Sequence, residues 1–187
     1  TNFLEMNWYV KAPGLEKGKD WEDQHSNMFY KYFQDEVGEL SGDDEEVLTT
    51  KVKWIAFKQQ FFSSAIIAKS AMLNGKVVQT KMENEPNYLK QFNAFFSIPF
   101  DGKSDEKFSF ALFYGPNQYK ILNNVHVDEG DKLELTKMIP LGWTIFGWIN
   151  RFAIIPLFNF LGSFITNYGL IILLMTIIIK LVLFPLT

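Results

Sequence analysis

Lys180 is set apart by its surroundings. It lies in IILLMTIIIKLVLFPLT, the last seventeen residues, with no acid near it in sequence. An ammonium group there has two chemistries open to it. Its stem can snorkel toward a nearby surface, or the charge can face a water-filled cavity in a helix bundle and attract anions. Thr187 is seven residues further on, about 10 Å along a helix, so partial snorkelling is within reach. On physical grounds both readings stay open.

Reactive chemistry elsewhere has few candidates. His25 and His126 are the only side chains that ordinarily titrate near neutral pH. His25 sits in WEDQHSN and His126 in NNVHVDE, and both fit surface positions. Asp43, Asp44, Glu45 and Glu46 follow one another along a loop rather than opposing each other across a cleft, as glycoside chemistry requires. No HExxH, GxSxG, Walker loop or glycine-rich dinucleotide signature occurs. The absence of cysteine removes disulfides, thiol catalysis and zinc–thiolate sites. No catalytic residue, metal ligand or cofactor is expected.

The elements that position Lys180 emerge from the charge distribution. Of 18 basic and 21 acidic residues, 16 and all 21 lie before residue 141, a net charge of −5. The remaining 47 residues hold only Arg151 and Lys180. A charged part therefore joins an almost uncharged one near residues 139–142. The acidic balance of the first part argues against nucleic acid as a partner. The opening Thr-Asn-Phe, with no signal-peptide pattern, and a stop just after Pro185 predict an internal segment of a longer protein.

Residues 1–140 read as β-structure. FLEMNWYV alternates, with Leu4, Met6, Trp8 and Val10 on one strand face. Aromatic and β-branched runs recur at Met28–Phe33, Val52–Phe57, Phe61–Ala68, Lys76–Met82, Phe92–Phe100 and Phe108–Tyr114. Turn residues separate them, and Asn74-Gly75 predicts a type I′ hairpin. The spacing predicts a sandwich. Lys58–Ala68 suits a buried strand or a buried helix, Gln118–Val127 suits a helix, and Gly42–Glu46 suits a solvated loop. The many aromatic rings fit a sandwich core.

Residues 141–166 predict an amphipathic helix in a membrane interface, with docking on the β domain as the other reading. Thr144, Arg151, Asn159, Ser163 and Thr166 form one narrow polar stripe at helical spacing. Trp143 and Trp148 suit the headgroup level, and Pro156 must kink or split the helix. Residues 167–187 then predict a transmembrane helix, about 20 apolar residues being enough to cross ~30 Å. Each Leu, Ile, Phe or Val contributes roughly −0.3 to −0.6 kcal/mol to insertion. One central lysine costs ~2.5–3.5 kcal/mol, so the span survives Lys180.

This order of parts resembles the YidC/Oxa membrane protein insertase family in its Gram-negative form. The resemblance is carried by Asn167-Tyr168-Gly169, Thr176, Lys180, Phe184 and the helix-end Pro185-Leu186-Thr187, with support from WIAFKQQFFSSAIIA and LFYGPNQYKIL. It implies a mostly β fold, the C-terminal portion of a periplasmic β-supersandwich related to galactose mutarotases. An interfacial helix and the first helix of the insertase core would follow, with residues 1–166 on the periplasmic side of the bacterial inner membrane. It further implies a chaperone without covalent catalysis, acting on nascent membrane proteins in the lipid bilayer, alone or with the Sec translocon. Lys180 would supply the charge of a hydrophilic groove and Thr176 would line the same face. Many members carry Arg where this chain carries Lys, which keeps the charge and loses the bidentate fork. The alternative is a membrane-anchored carbohydrate-active or carbohydrate-binding sandwich, for which a histidine would have to face a carboxylate.

Overall fold

The computed structural model describes residues 2–102, 105–127, 132–140 and 144–184. It separates into two compact units, residues 1–139 and 140–187.

The first unit is built around eight antiparallel strands: β1 (Asn2–Pro13), β2 (Asn27–Tyr32), β3 (Val37–Leu40), β4 (Asp44–Leu48), β5 (Val52–Lys58), β6 (Phe62–Lys81), β7 (Tyr88–Phe100) and β8 (Phe110–Pro116). Their order is β1-β7-β6-β5-β2-β3, with β4 and β8 also paired to β6. The 20-residue β6 divides this set into two layers. Residues 63–72 pair with β5, and residues 62–68 with β8. From Leu73 onward its partners are β7 and β4.

The passage between layers falls on Asn74-Gly75, and it corrects the hairpin expected there. Leu73 pairs with Ser97 and Lys76 with Phe95, so three steps on β6 oppose two on β7. That count is a bulge, which bends a strand without ending it. Asn74 takes φ +48°, a left-handed conformation that asparagine tolerates. A Cβ on Gly75 would stand 3.0 Å from the Leu48 side chain. The chemistry that suits a tight hairpin therefore serves a bend and a close approach.

Between the layers lies the main core. Trp8 of β1 stacks on Phe57 of β5 at 4.0 Å between ring centroids, and Phe57 meets Phe92 of β7 at 5.4 Å. Met28, Ile55, Ile66, Val77, Ala94 and Phe96 fill the rest. Leu4 and Met6 were expected on the same inner face as Trp8 and Val10, but both are exposed. Alternation assigns a face correctly and cannot say how far the opposing layer reaches. The ambiguous 58–68 stretch is strand, and the acidic run enters β4, an edge strand with exposed carboxylates.

A second core covers the other face of β5, which is buried along its whole length. Helix α1 (Lys19–Gln24) precedes β2, and the short helix α2 (Tyr119–Asn123) follows β8. Leu122 of α2 and Leu133, Leu135 and Met138 pack on Phe29, Trp54 and Ile67. Trp54 donates its indole N–H to the Leu133 carbonyl at 2.7 Å, so the ring is buried with its polar edge satisfied.

Glu134 pins this covering segment. It adopts φ +55° ahead of a 3₁₀ turn (Leu135–Met138) and receives Lys31 Nζ at 2.6 Å and Lys137 Nζ at 3.1 Å. The Lys31 hydrogen bond holds its carboxyl below the usual range, partial burial opposes this, and Lys137 adds to the depression. A depressed carboxyl pKa stabilises the fold fully above the unfolded value and loses that contribution as pH falls through the folded one. Glu134→Gln should therefore cost about 0.5–1 kcal/mol at pH 7 and nearly nothing in acid below the folded pKa. Urea unfolding midpoints across that range check it.

Candidate functional site

The second unit is helical. Helix α3 (Thr144–Ile149), a π turn (Asn150–Ile154) and helix α4 (Ile155–Gly162) follow one another without a break, and helix α5 (Tyr168–Leu183) returns. The π turn explains how one helix tolerates Pro156. Proline lacks the N–H that would bond four residues back, and at this point the Ile155 N–H bonds the Asn150 carbonyl, five back. The helical stretch is therefore not split at Pro156 and runs on through a π turn. It ends at Gly162, so Ser163 is its cap and Thr166 lies in the following loop. The polar stripe expected through residue 166 is thus shorter than the spacing suggested, and the π turn shifts its phase.

Arg151, Asn159 and Ser163 are exposed, and so are the large apolar side chains Trp148, Phe152, Phe160 and Phe164. Trp148 and Phe152 tilt against each other at 5.5 Å. Trp143 and Pro185, both expected to be functional, lie outside the described residues.

Asn167 starts α5 by accepting the Leu170 N–H on its side-chain oxygen at 3.2 Å, which satisfies one of the free donors of a helix start. Phe158 of α4 stacks on Tyr168 at 6.1 Å, and Gly162 lies beside Ile171. Ile171 and Met175, one turn apart, are buried residues of α5. Helix geometry then places Lys180 half a turn from Ile171, because nine residues at 3.6 per turn make two and a half turns. Lys180 and Thr176 share the exposed face with Leu173, Ile177 and Leu181. The Thr176 hydroxyl donates to the Ile172 carbonyl at 2.8 Å, so its hydrogen is used within the helix. An ammonium on a largely apolar face can attract an anion, and its own helix carries no acid or histidine with which to transfer a proton.

α5 has 16 described residues against about 20 expected, and among the described residues no helix is long and apolar enough to cross a membrane. Residues 185–187, which complete the expected span, lie outside them.

Among the described residues the histidines form no catalytic pair with a carboxylate. His25 Nδ1 is 2.8 Å from the Trp21 carbonyl, and His126 is exposed. Among the described residues neither makes an ion pair with a carboxylate, and no group of acids and histidines could hold a metal. Sequence reasoning missed a different cluster. Lys90 is 1% exposed and donates to the Asp23 and Ser26 carbonyls at 2.8 Å, while Lys58 reaches the His25 carbonyl at 2.6 Å. Burial pushes both ammonium groups below the usual lysine range, an effect that Asp23 opposes at Lys90 and Glu39 at Lys58. These lysines satisfy carbonyls at the end of α1 and beyond it, a structural duty that no local pattern announces.

The molecule thus defines a class: a two-layer β domain joined to an apolar helical hairpin whose outer face carries one ammonium. It belongs to the YidC periplasmic domain family, whose model matches residues 13–155. Among similar proteins is the membrane protein insertase YidC of Parabacteroides distasonis, 40% identical over 191 residues covering 100% of this chain and 30% of that protein. Those of Bacteroides fragilis and Azobacteroides pseudotrichonymphae are 36% and 37% identical, covering 100% and 98% of this chain and 31% of each relative. The chain thus spans about a third of the length of these curated relatives.

Proposed function

We infer that this chain is part of a membrane protein insertase and chaperone of the bacterial inner membrane. The observation that carries the reading is a chain-long similarity to insertases together with a lone ammonium on the exposed face of an apolar helix. In this reading residues 1–140 form the C-terminal part of a periplasmic supersandwich, 141–166 lie in the interface, and 167–187 cross the bilayer. Trp143, Trp148 and Arg151 then sit at headgroup level, with Pro185 at the helix end.

The mechanism is electrostatic rather than covalent. Opposite unit charges 4 Å apart attract by ~1 kcal/mol in water and ~4 kcal/mol at an effective dielectric of 20. Lys180 therefore draws the acidic or polar segments of an incoming chain only where water is partly excluded, as in a groove shared with further core helices. Holding such a segment there shortens the apolar path it must cross. Nascent membrane proteins and lipid are the partners, with the Sec translocon as a further one.

A photocrosslinker at position 180 of the full-length protein tests this during synthesis of a membrane client. The expected adduct joins residue 180 to the client's translocating segment. Adducts to lipid alone would reduce α5 to a plain anchor.

A further inference from the structure

The segment from Leu15 through the first turn of α1 holds two large apolar side chains out in solvent and is braced by hydrogen bonds. Leu15 is 70% exposed and Trp21 is 60% exposed. Glu22, 3% exposed, turns its carboxylate inward to accept the Leu15 N–H at 3.0 and 3.1 Å and the Glu16 N–H at 3.0 Å. The Gly14 N–H bonds the Asn87 carbonyl at 2.9 Å, and Lys19 Nζ donates to the Pro86 carbonyl. The His25 ring lies against the Trp21 ring at 4.3 Å between centroids, and its Nδ1 is tied to the Trp21 carbonyl. A buried carboxylate thus shapes one side of this lip, and a fixed imidazole backs the other. Apolar side chains left free would collapse onto the nearest surface, so this bracing keeps them presented.

We propose that the Leu15–Trp21 lip is a membrane-touching element that inserts its two apolar side chains into the headgroup region of a bilayer. Tryptophan is the residue best suited to that depth, and leucine adds apolar area beside it. Glu16 and Asp20 balance Lys17 and Lys19, so contact is driven by apolar area rather than by attraction to anionic lipid. The helical unit of the same chain exposes Phe152, Phe160, Phe164, Leu173 and Leu181, surfaces that suit hydrocarbon. The proposal rests on that membrane reading of the helical unit.

The chain lacks cysteine, so single labelling sites are simple to make. Leu15→Cys, Leu112→Cys and Leu173→Cys in the full chain, each carrying an environment-sensitive fluorophore, are reconstituted into phosphatidylcholine–phosphatidylglycerol vesicles with and without brominated acyl chains. Positions 15 and 173 should shift to the blue and be quenched by bromine, while position 112 should do neither. Trp21→Ser should lower the quenching at position 15 by about twofold or more. Quenching at 173 with a water-like signal at 15 overturns the lip and leaves the helical reading intact. No quenching at 173 overturns both. A blue shift at 15 that ignores bromine and grows with protein density means contact with another copy, and also overturns the lip.

Discussion

Lys180→Glu in the full-length protein should abolish insertion of clients whose translocating segments carry acidic residues. At 4 Å and an effective dielectric of 20, reversal turns an attraction of ~4 kcal/mol into a repulsion of similar size. Solvent screening removes much of that, yet a net ~3 kcal/mol is still on the order of a hundredfold in rate. Lys180→Ala should fall between the wild type and the reversal. Lys180→Arg should insert normally, because charge rather than fork geometry is what a single exposed lysine supplies. Thr176→Ala should change little, since its hydroxyl already donates to Ile172 within the helix. Pulse-labelled insertion in cells depleted of the native protein reads all four. Wild-type rates for both the Ala and the Glu variant would remove Lys180 from the mechanism.

Lys90→Ala should destabilise the β domain by about 3–5 kcal/mol. Lys90 and Lys81 both stand 3.4 Å from an Asp23 carboxylate oxygen, so an ion-pair tally ranks them equally. Burial separates them. The Lys90 side chain is 1% exposed and that of Lys81 is 44% exposed. Without Lys90 the Asp23 and Ser26 carbonyls lose donors, and Asp23 Oδ1, which accepts no hydrogen bond, loses its nearest cation. Losing Lys81 leaves groups that water can reach, so Lys81→Ala should cost at most ~1 kcal/mol. Chemical denaturation of the two variants decides between them. Equal costs would show that burial is not what makes the Lys90 pair matter.

Strand positions were the most legible part of the fold. β1, β2, β5, β7 and β8 fall where aromatic and β-branched runs lie between turn residues. β3 and β4 were not legible, because VGEL and DEEVL are short, and the exposed acidic face of β4 reads as a loop. The Lys180–Thr176 pairing needed only helical periodicity, because i and i+4 share a face whatever surrounds them. Gln118–Val127 was legible as a helix in kind but not in extent, since only residues 119–123 are helical.

The sequence by itself determined the two materials of this protein, charged strands and an apolar helical tail, together with the lysine that breaks the second. Those depend on composition and on periods of two and 3.6 residues, which are local properties. Tertiary structure alone decided that Asn74-Gly75 bends a strand between layers, since a bulge is defined by what pairs across it. It also decided that Lys90 is interior and Lys81 is not, because burial depends on chain segments distant in sequence. For IILLMTIIIKLVLFPLT it decided which way the charge points. Ile171 and Met175 take the buried side of α5, and that packing leaves Lys180 on the outer face.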